Sequence, residues 1–528
     1  MSETAAAIKQ ETRKLKRELT LLPLFALIYF TVCGGTFGIE SLIGWSGPGM
    51  ALILIAVTPI VFSIPNMLMV REMNSMMPVE GGYYHWVKQA YGPFAGFMAG
   101  WMNWVVSWVD VSIYPVLAAY YLGQMIPGLR EGTQIAGIWV DGWVLQWLVA
   151  LVIIWGISAL NIRGARLTGL TANWIGIAML VPLVLTTIVG IYNWIHGGVT
   201  ISLPLLPDEQ SGFSGITSSL SVGLFVVMWN YMGWELPTAA GDEIVNPKRT
   251  YPLAMTLVLV AAILTYSLPV VAGLYGGAGN DGRYLLWGQE EYEEGQGIGP
   301  VMAEYGVTDE KLTEWEVNPQ SSVGWQFPDI AYRLGEIASG VKNSPLARAL
   351  GSSVAFAAVL SMVGLFIGNS LGGTRVPFAM AEDGMMPKWM VKVHPKYGTP
   401  WVAIVFCGVL FSIFSLQTFQ LLVVVDVLLN MLVLLAQLFA LWKLRSSHPH
   451  VHRQKVPGGT LGLVLVTLGP TIFGVFPIYC QFAEEGIPSI SWALVAMLVG
   501  AALYFPIKRY IKPGVPDVDP FVSEEETV

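Results

Sequence analysis

The sequence predicts an all-α polytopic membrane protein of about twelve transmembrane helices, and three observations carry that prediction. Apolar runs of ~20 residues, long enough to cross a hydrocarbon core, recur along nearly the whole chain. Of 528 residues, 54% are hydrophobic and only 12% charged, far from the average of a soluble globular protein. The lysines and arginines, finally, fall into the short loops on one side of the spans.

In chain order, spans are expected near 21–45, 49–70, 93–126, 143–161, 170–195, 216–240, 252–273, 347–367, 399–416, 419–444, 461–482 and 489–507. The N-terminal basic cluster, Arg71, Lys88, Arg163, Arg166, Lys248, Arg249, Arg375, Lys388, Lys443, Arg445, Lys508 and Arg509 all fall on one side. That side is expected to be cytoplasmic, with both termini inside a multi-pass protein of the cell membrane. Segments 1–20 and 508–528 then read as cytoplasmic tails. The start (Lys9, Arg13, Lys14, Lys16, Arg17) stays polar for too long before Leu21 to resemble a cleavable signal peptide. Cys33, Cys407 and Cys480 lie scattered in apolar runs and make no disulfide or metal framework.

The first span is interrupted. Its middle reads Gly34-Gly35-Thr36-Phe37-Gly38, followed at once by Glu40. Glycine inside a helix costs roughly 1 kcal/mol relative to alanine, so a continuous helix is not expected. In lipid, unwound backbone survives only where protein or a water-filled cavity satisfies its polar groups. The interruption therefore reads as a ligand site, the alternative being close glycine packing between helices. A second interruption, Trp229-Asn230-Tyr231-Met232-Gly233-Trp234-Glu235, repeats the pattern of a glycine, an apolar residue and a glutamate. Paired breaks at corresponding places in two halves point to a secondary transporter's binding site.

The largest insertion, 275–346, is acidic, with Glu290-Glu291, Glu293-Glu294, Glu304, Asp309, Glu310, Glu314, Glu316 and Asp329. It is expected outside the membrane as a solvated loop, the alternative being a funnel for cationic solutes.

At the second break the motifs become specific. Residues 229–235, running into Ala240-Gly241-Asp242-Glu243-Ile244-Val245-Asn246-Pro247-Lys248-Arg249-Thr250-Tyr251-Pro252, resemble the sixth helix and following loop of the amino acid–polyamine–organocation family. The glycine-rich first break, Glu80-Gly81-Gly82-Tyr83 with Gly92-Pro93-Phe94, and Arg375 through Ala379-Met380-Ala381-Glu382-Asp383-Gly384 are similar to further motifs of that family. Trp108-Val109-Asp110 through Tyr114-Pro115 is similar to its polyamine-uptake branch. The likeness covers most of the chain from Leu21 to about Thr460. It implies a five-plus-five inverted repeat, 21–195 mirrored by 216–444, with trailing helices in 461–507 and with helices one and six unwound at the substrate. Three departures stand out: no Asp, Glu, Lys, Arg or His from Leu167 to Ile195, a long 275–346 insertion, and Asp426 in the tenth span.

Four carboxylates lie in or beside apolar spans: Glu40, Asp110, Glu235 and Asp426. Each costs about 2.5–3.5 kcal/mol on insertion scales. With no lysine or arginine nearby in sequence, protonation or a cationic ligand is the expected relief. The family likeness places a proton-linked or gating glutamate at Glu235, with Glu40 at the mirror position; helix capping is the alternative for both. Asp110 suits an ammonium or guanidinium group, and Asp426 is a candidate second cation contact. Gly34, Gly35, Thr36, Phe37 and Gly38 are expected to offer free amides to a carboxylate. Asn230, Tyr231, Met232 and Gly233 are expected to offer carbonyls to an amino group, and the Trp229 ring to cover a cation. Trp101 and Trp143 read as interfacial belt residues. Arg163, Arg166, Lys248, Arg249 and Arg375 border the cytoplasmic mouth, and the likeness implies a closing network with Glu72, Asp242, Glu243 and Asp383.

The function expected is secondary active transport of an amino acid or polyamine, cationic in view of the four carboxylates, across the cytoplasmic membrane by alternating access, coupled to protons or run by exchange. A neutral amino acid carrier of the same fold and a non-transporting nutrient sensor are the alternatives. No metal cluster, phosphate loop or nucleophile constellation suggests an enzyme, and no cofactor or nucleic-acid partner is expected.

Overall fold

In a computed structural model of the chain, the described residues are 17–510, apart from 78, 80, 136, 198–203, 207–212, 290–291, 293–294, 322, 417–418, 452 and 486. Glu80, the pairs Glu290-Glu291 and Glu293-Glu294, and most of both tails therefore lie outside the described residues.

The first span is two helices. α1 (Leu21–Val32) stops at Cys33, and α2 (Glu40–Ser46) begins beyond residues 33–39. Gly35 and Gly38 sit at φ +84° and +87°, a region that side-chain-bearing residues rarely adopt. The second span joins α3 (Pro48–Thr58) to α4 (Ile64–Met76) through a π-helical turn, Pro59–Ser63, which re-routes the hydrogen bond that Pro59 cannot donate. After the short α5 (Tyr83–Tyr91) comes the third span, α6 (Pro93–Met125). Then follow α7 (Pro127–Glu131), a hairpin of β1 (Thr133–Ile135) and β2 (Ile138–Val140), and spans four and five, α8 (Gly142–Arg163) and α9 (Ala165–Gly197). In the hairpin Thr133 pairs with Val140.

The sixth span repeats the break. α10 (Phe213–Tyr231) gives way to unwound residues 232–235 and then a 3-10 helix, Leu236–Glu243. Span seven is α11 (Pro247–Gly273). The insertion carries α12 (Gly299–Glu304), α13 (Asp309–Glu314) and α14 (Phe327–Ser339). Spans eight to twelve are α15 (Pro345–Glu382), α16 (Trp401–Phe414), α17 (Phe419–Ser447), α18 (Gly459–Glu485) and α19 (Ile487–Tyr510). Among the described residues, nine helices are long and apolar enough to cross a membrane, and α1 and α16 are shorter apolar helices.

Burial sorts these helices. In their most apolar stretches, α6 is 72% and α15 67% buried within the protein, against 22% for α8 and 24% for α18. α6 and α15 are therefore the central pair, and they pack directly on each other. α15 approaches α1 and the 3-10 helix through one stripe of glycines. A Cβ on Gly364 would meet the Phe30 ring at 2.3 Å, one on Gly368 the Phe30 backbone at 2.8 Å, and one on Gly372 the Leu236 carbonyl at 2.8 Å. Small residues at four-residue spacing allow this close approach. Neighbour relations also recur under a shift of five spans: third on tenth and eighth on fifth, first on seventh and sixth on second, third on ninth and eighth on fourth.

Three expectations are corrected. The eighth span runs on to Glu382 instead of ending near 367, because its polar continuation (Asn369, Ser370, Thr374, Arg375) is buried against neighbours. Trp101 is not an interfacial residue: it is 7% exposed, and its indole donates to the Ala496 carbonyl at 2.9 Å. The insertion is not simply a solvated loop. It has its own buried side chains, among them Trp287, Ile298, Met302, Leu312 and Phe327, and it docks on α2. The Gly288 amide donates to Trp325 O at 2.9 Å and the Trp45 indole to Gln289 Oε1 at 2.9 Å. Apolar residues spaced between acids, read as solubility in the sequence, fold inward once α2 supplies a surface.

Gly288 has φ +66°, and a Cβ there would lie 2.1 Å from the Ser41 amide. Gly288→Ala is expected to undock the insertion, read by hydrogen exchange as lost protection at Gly288, Gly324 and Trp325 with α6 and α15 unchanged.

Candidate substrate and coupling site

The two breaks meet face to face. A Cβ on Gly233 (φ +94°) would sit 2.2 Å from the Thr31 carbonyl oxygen, and one on Gly38 would sit 3.2 Å from the Trp229 ring. Glycine is required at both places because backbone or indole occupies the space. The polar groups freed by unwinding are satisfied from neighbouring helices. The Tyr266 hydroxyl lies 2.7 Å from Asn230 O and 3.2 Å from Val32 O, the Ser361 hydroxyl donates to Gly34 O, and the Asn369 amide donates to Phe30 O at 3.3 Å.

Beside this junction lies a small pocket. One face is a stripe of α6, with Asn103, Ser107, Asp110 and Tyr114 at successive helical turns. Trp229, Met232, Gly233 and Leu236 supply the second-break wall, Thr31 and Asn369 the α1 and α15 walls, and Asp426 and Asn430 the α17 wall. Asp110 and Asp426 thus face one pocket from two helices, and no lysine, arginine or histidine lines it among the described residues. Asp110 accepts from the Tyr114 hydroxyl at 2.6 Å, with the Trp229 indole also interacting. Asp426 accepts from the Asn430 amide at 2.8 Å.

Of the sequence-predicted residues, Asp110, Trp229, Met232, Gly233 and Asp426 line the pocket. Gly34, Gly35, Thr36, Phe37, Gly38, Asn230 and Tyr231, expected at the substrate, are not among its lining residues. The Gly38 amide, expected to be free for a carboxylate, instead donates to Glu40 Oε2 at 2.6 Å. Glu40 is 1% exposed, and its other oxygen accepts from the Phe327 amide of the insertion at 2.9 Å. It joins the break to the docked insertion. Phe37 packs edge-on against Tyr121 and Phe327. The Asn230 amide bonds back to Val226 O at 2.9 Å.

Glu235 is 7% exposed and follows Gly233 and Trp234 at the inner edge of the second break. Its Oε2 has no hydrogen-bond partner among the described residues. It lies within electrostatic reach of Asp426, Tyr83 and Tyr251. Sequence reasoning missed Asn103, Ser107, Tyr114, Tyr266, Asn369 and Asn430. The first three share a face with Asp110, so a search for polar side chains at three- and four-residue spacing finds them. Tyr266 and Asn369 leave no such signature.

An amino acid permease family model matches residues 19–287 and 320–504. The chain belongs to the amino acid permease family. The permease is similar to the polyamine transporter RMV1 of Arabidopsis thaliana, 29% identical over 94% of this chain and 87% of that protein. It is also similar to the polyamine transporter PUT1 of Oryza sativa subsp. japonica, 27% identical over 95% and 82% of the two chains. The serine/threonine exchanger SteT of Bacillus subtilis (strain 168) is 23% identical over 75% and 76%.

At the end of the permease that carries the basic loops, the expected pairing holds for Arg375 with Glu243, while Asp383 and Glu72 take other partners. Arg375 is fully buried; its Nε donates to Glu243 at 2.8 Å and its Nη1 to Asn161 at 2.8 Å. Asp383 pairs with Lys88 at 2.9 Å, and Glu72 accepts from Arg445 at 2.7 Å and from the Val456 amide at 2.7 Å. Arg163, Arg166, Lys248 and Arg249 form no ion pair among the described residues, and the Asp242 side chain lies outside them. The partners come from α5 (Lys88), α17 (Arg445) and the loop after it (Val456), which the order of the chain does not reveal.

Removing one partner of a buried ion pair leaves the other charge uncompensated and costs about 3–5 kcal/mol. Glu243→Ala is therefore expected to lower the unfolding temperature in detergent markedly, whereas Arg249→Ala, at an exposed position, is expected to stay within about 0.5 kcal/mol.

Proposed function

We propose that the permease is a secondary active transporter of an amino acid or polyamine, cationic where it meets Asp110 and Asp426, working by alternating access with protons or by exchange. The observation that carries this reading is one pocket lined by two carboxylates and an indole with no basic side chain. Two acids facing one space repel each other unless a proton or a cation lies between them. Val106, Val111, Met232 and Leu236 supply apolar wall between the polar ends, which suits methylenes joining amino groups. Relatives named as polyamine transporters support the same substrate class. Glu235, buried beside the pocket with an unpartnered oxygen, is the proposed proton site. Neighbour relations that recur under a shift of five spans support two five-helix repeats moving against each other. The basic end is the proposed cytoplasmic side, with both termini there and the insertion outside.

A neutral amino acid carrier is the second reading, favoured by the hydrogen bonds that Tyr114 and Asn430 already give the two acids. Uptake into liposomes of purified protein separates the two, with putrescine and lysine competing against alanine, leucine and serine. Asp110→Asn is expected to raise KM for the cationic substrates tenfold or more, in line with about 1.5–3 kcal/mol for a hydrogen bond to a charged group. Equal losses for cationic and neutral substrates would remove Asp110 from recognition. Glu235→Gln is expected to preserve substrate binding and exchange while abolishing uptake driven by a proton gradient. Unimpaired accumulation in that variant would rule out the coupling role.

A further inference from the structure

Not every charge at the basic end has an acid beside it. Glu72, Glu243 and Asp383 are engaged there by Arg445, Arg375 and Lys88. Lys443 near the end of α17, and Lys508 and Arg509 near the end of α19, are exposed and form no ion pair among the described residues. Two of them lie over aromatic rings. The Lys443 ammonium is 4.6 Å from the centroid of the Tyr91 ring, and the Lys508 ammonium 5.9 Å from that of Tyr504. A ring face attracts the cation but leaves its three N–H donors largely unengaged. The two rings belong to one place. The Tyr91 hydroxyl donates to Phe439 O of α17 at 3.0 Å. Phe94, at the start of α6, packs edge-on against Tyr504 of α19 with centroids 5.0 Å apart. α6, α17 and α19 all touch one another.

The surface around these amines is apolar. Tyr91 is 44%, Phe94 45% and Phe505 68% exposed. They stand at the last turns of one span and the entry to another, on the side of the basic loops, where hydrocarbon gives way to headgroups. A free anion would engage the ammonium groups and leave the rings in water. A phospholipid engages both, with phosphate oxygens for the amines and acyl chain for the rings. We propose that the ends of α17 and α19 and the start of α6 form a binding site for the headgroup of an anionic phospholipid, in the leaflet on the basic side. None of its residues lines the substrate pocket, so the site stands apart from the transport reading. The rival occupant is the chain's own segment 511–528, with Asp517, Asp519, Glu524, Glu525 and Glu526. The rings favour lipid, because they continue the exposed apolar faces of α17 at Phe439 and of α19 at Leu498 and Leu503.

The test is binding of a fluorescent phosphatidylglycerol to the full chain in neutral detergent. Unlabelled phosphatidylglycerol, phosphatidylcholine and inorganic phosphate serve as competitors. Saturable binding is expected, displaced about tenfold more effectively by phosphatidylglycerol than by phosphatidylcholine and left in place by millimolar phosphate. Equal displacement by the two lipids would overturn the proposal, and displacement by phosphate would make the ligand a free anion instead. Each basic residue beside an anionic headgroup contributes roughly fivefold in affinity. Lys443→Gln combined with Lys508→Gln and Arg509→Gln is therefore expected to weaken binding about tenfold or more. The charge-matched control combines Arg249→Gln, Lys392→Gln and Lys396→Gln, exposed residues of the same end. Lys396 also lies over a ring, 5.4 Å from the Tyr397 centroid, and this control is expected to stay within about twofold. Equal losses in the two triple variants would reduce the effect to the diffuse field of the basic end and refute the site. Binding absent from wild type but present after Asp517→Asn, Asp519→Asn, Glu524→Gln, Glu525→Gln and Glu526→Gln together would make segment 511–528 the occupant and refute the lipid. Should a triple variant not fold, judged by gel filtration in detergent, the comparison of the two lipids on wild type decides.

Discussion

Every backbone amide and carbonyl in an apolar interior must find a partner, and the architecture of this permease follows from how that demand is met at two places. Helices meet it internally. Where α1 and α10 stop in mid-span, the demand passes to side chains from α11 and α15: Tyr266, Ser361 and Asn369. Ser361 and Asn369 reach the first break because α15 lies close to α1. The glycines 364, 368 and 372 make that approach possible, since any side chain there would strike Phe30 or Leu236. The substrate pocket is the space left beside this junction, so its walls are inherited from the breaks and from the helices that satisfy them.

The charged groups divide into two populations with different physics. At the basic end, Arg375–Glu243, Lys88–Asp383 and Arg445–Glu72 are paired, and they join α4 to α17, the end of α15 to α5, and α15 to the 3-10 helix. In the pocket, the donors to Asp110 and Asp426 among the described residues are neutral: Tyr114 and Trp229 for the first, Asn430 for the second. A buried carboxylate with neutral partners stays responsive to a proton or a cation, whereas one with a guanidinium partner does not. Glu40 belongs to neither population: it is consumed by two backbone amides, one from the break and one from the insertion. The mirrored glutamates Glu40 and Glu235 are therefore in different situations, one fully engaged and the other with an unpartnered oxygen.

The insertion extends this logic to the outside. Through Glu40 and the Phe327 amide it is joined to the first break, and through Gln289 to Trp45 at the end of α2. The family match is interrupted at residues 288–319, within this insertion. Of these two contacts, Gln289 lies in the unmatched stretch and Phe327 in the matched one.

Hydropathy and glycine placement by themselves determined the helical, membrane-spanning architecture, the order of the apolar segments, and the positions of both breaks. Those are local properties: an apolar run of sufficient length has no other stable form in lipid, and clustered glycines weaken a helix wherever they occur. The candidate acids Asp110 and Asp426 were legible for the same reason, as ionisable residues in spans are conspicuous. What only the tertiary structure decided is partnership. That Tyr266 bridges the breaks, that Glu40 holds the insertion, that Arg445 rather than Arg163 neutralises Glu72, and that Trp101 packs against α19 all join residues hundreds of positions apart or on faces that hydropathy does not orient. A helix's sequence states that it will be buried, but not against which neighbour, because lipid tails and apolar side chains present the same solvent to it.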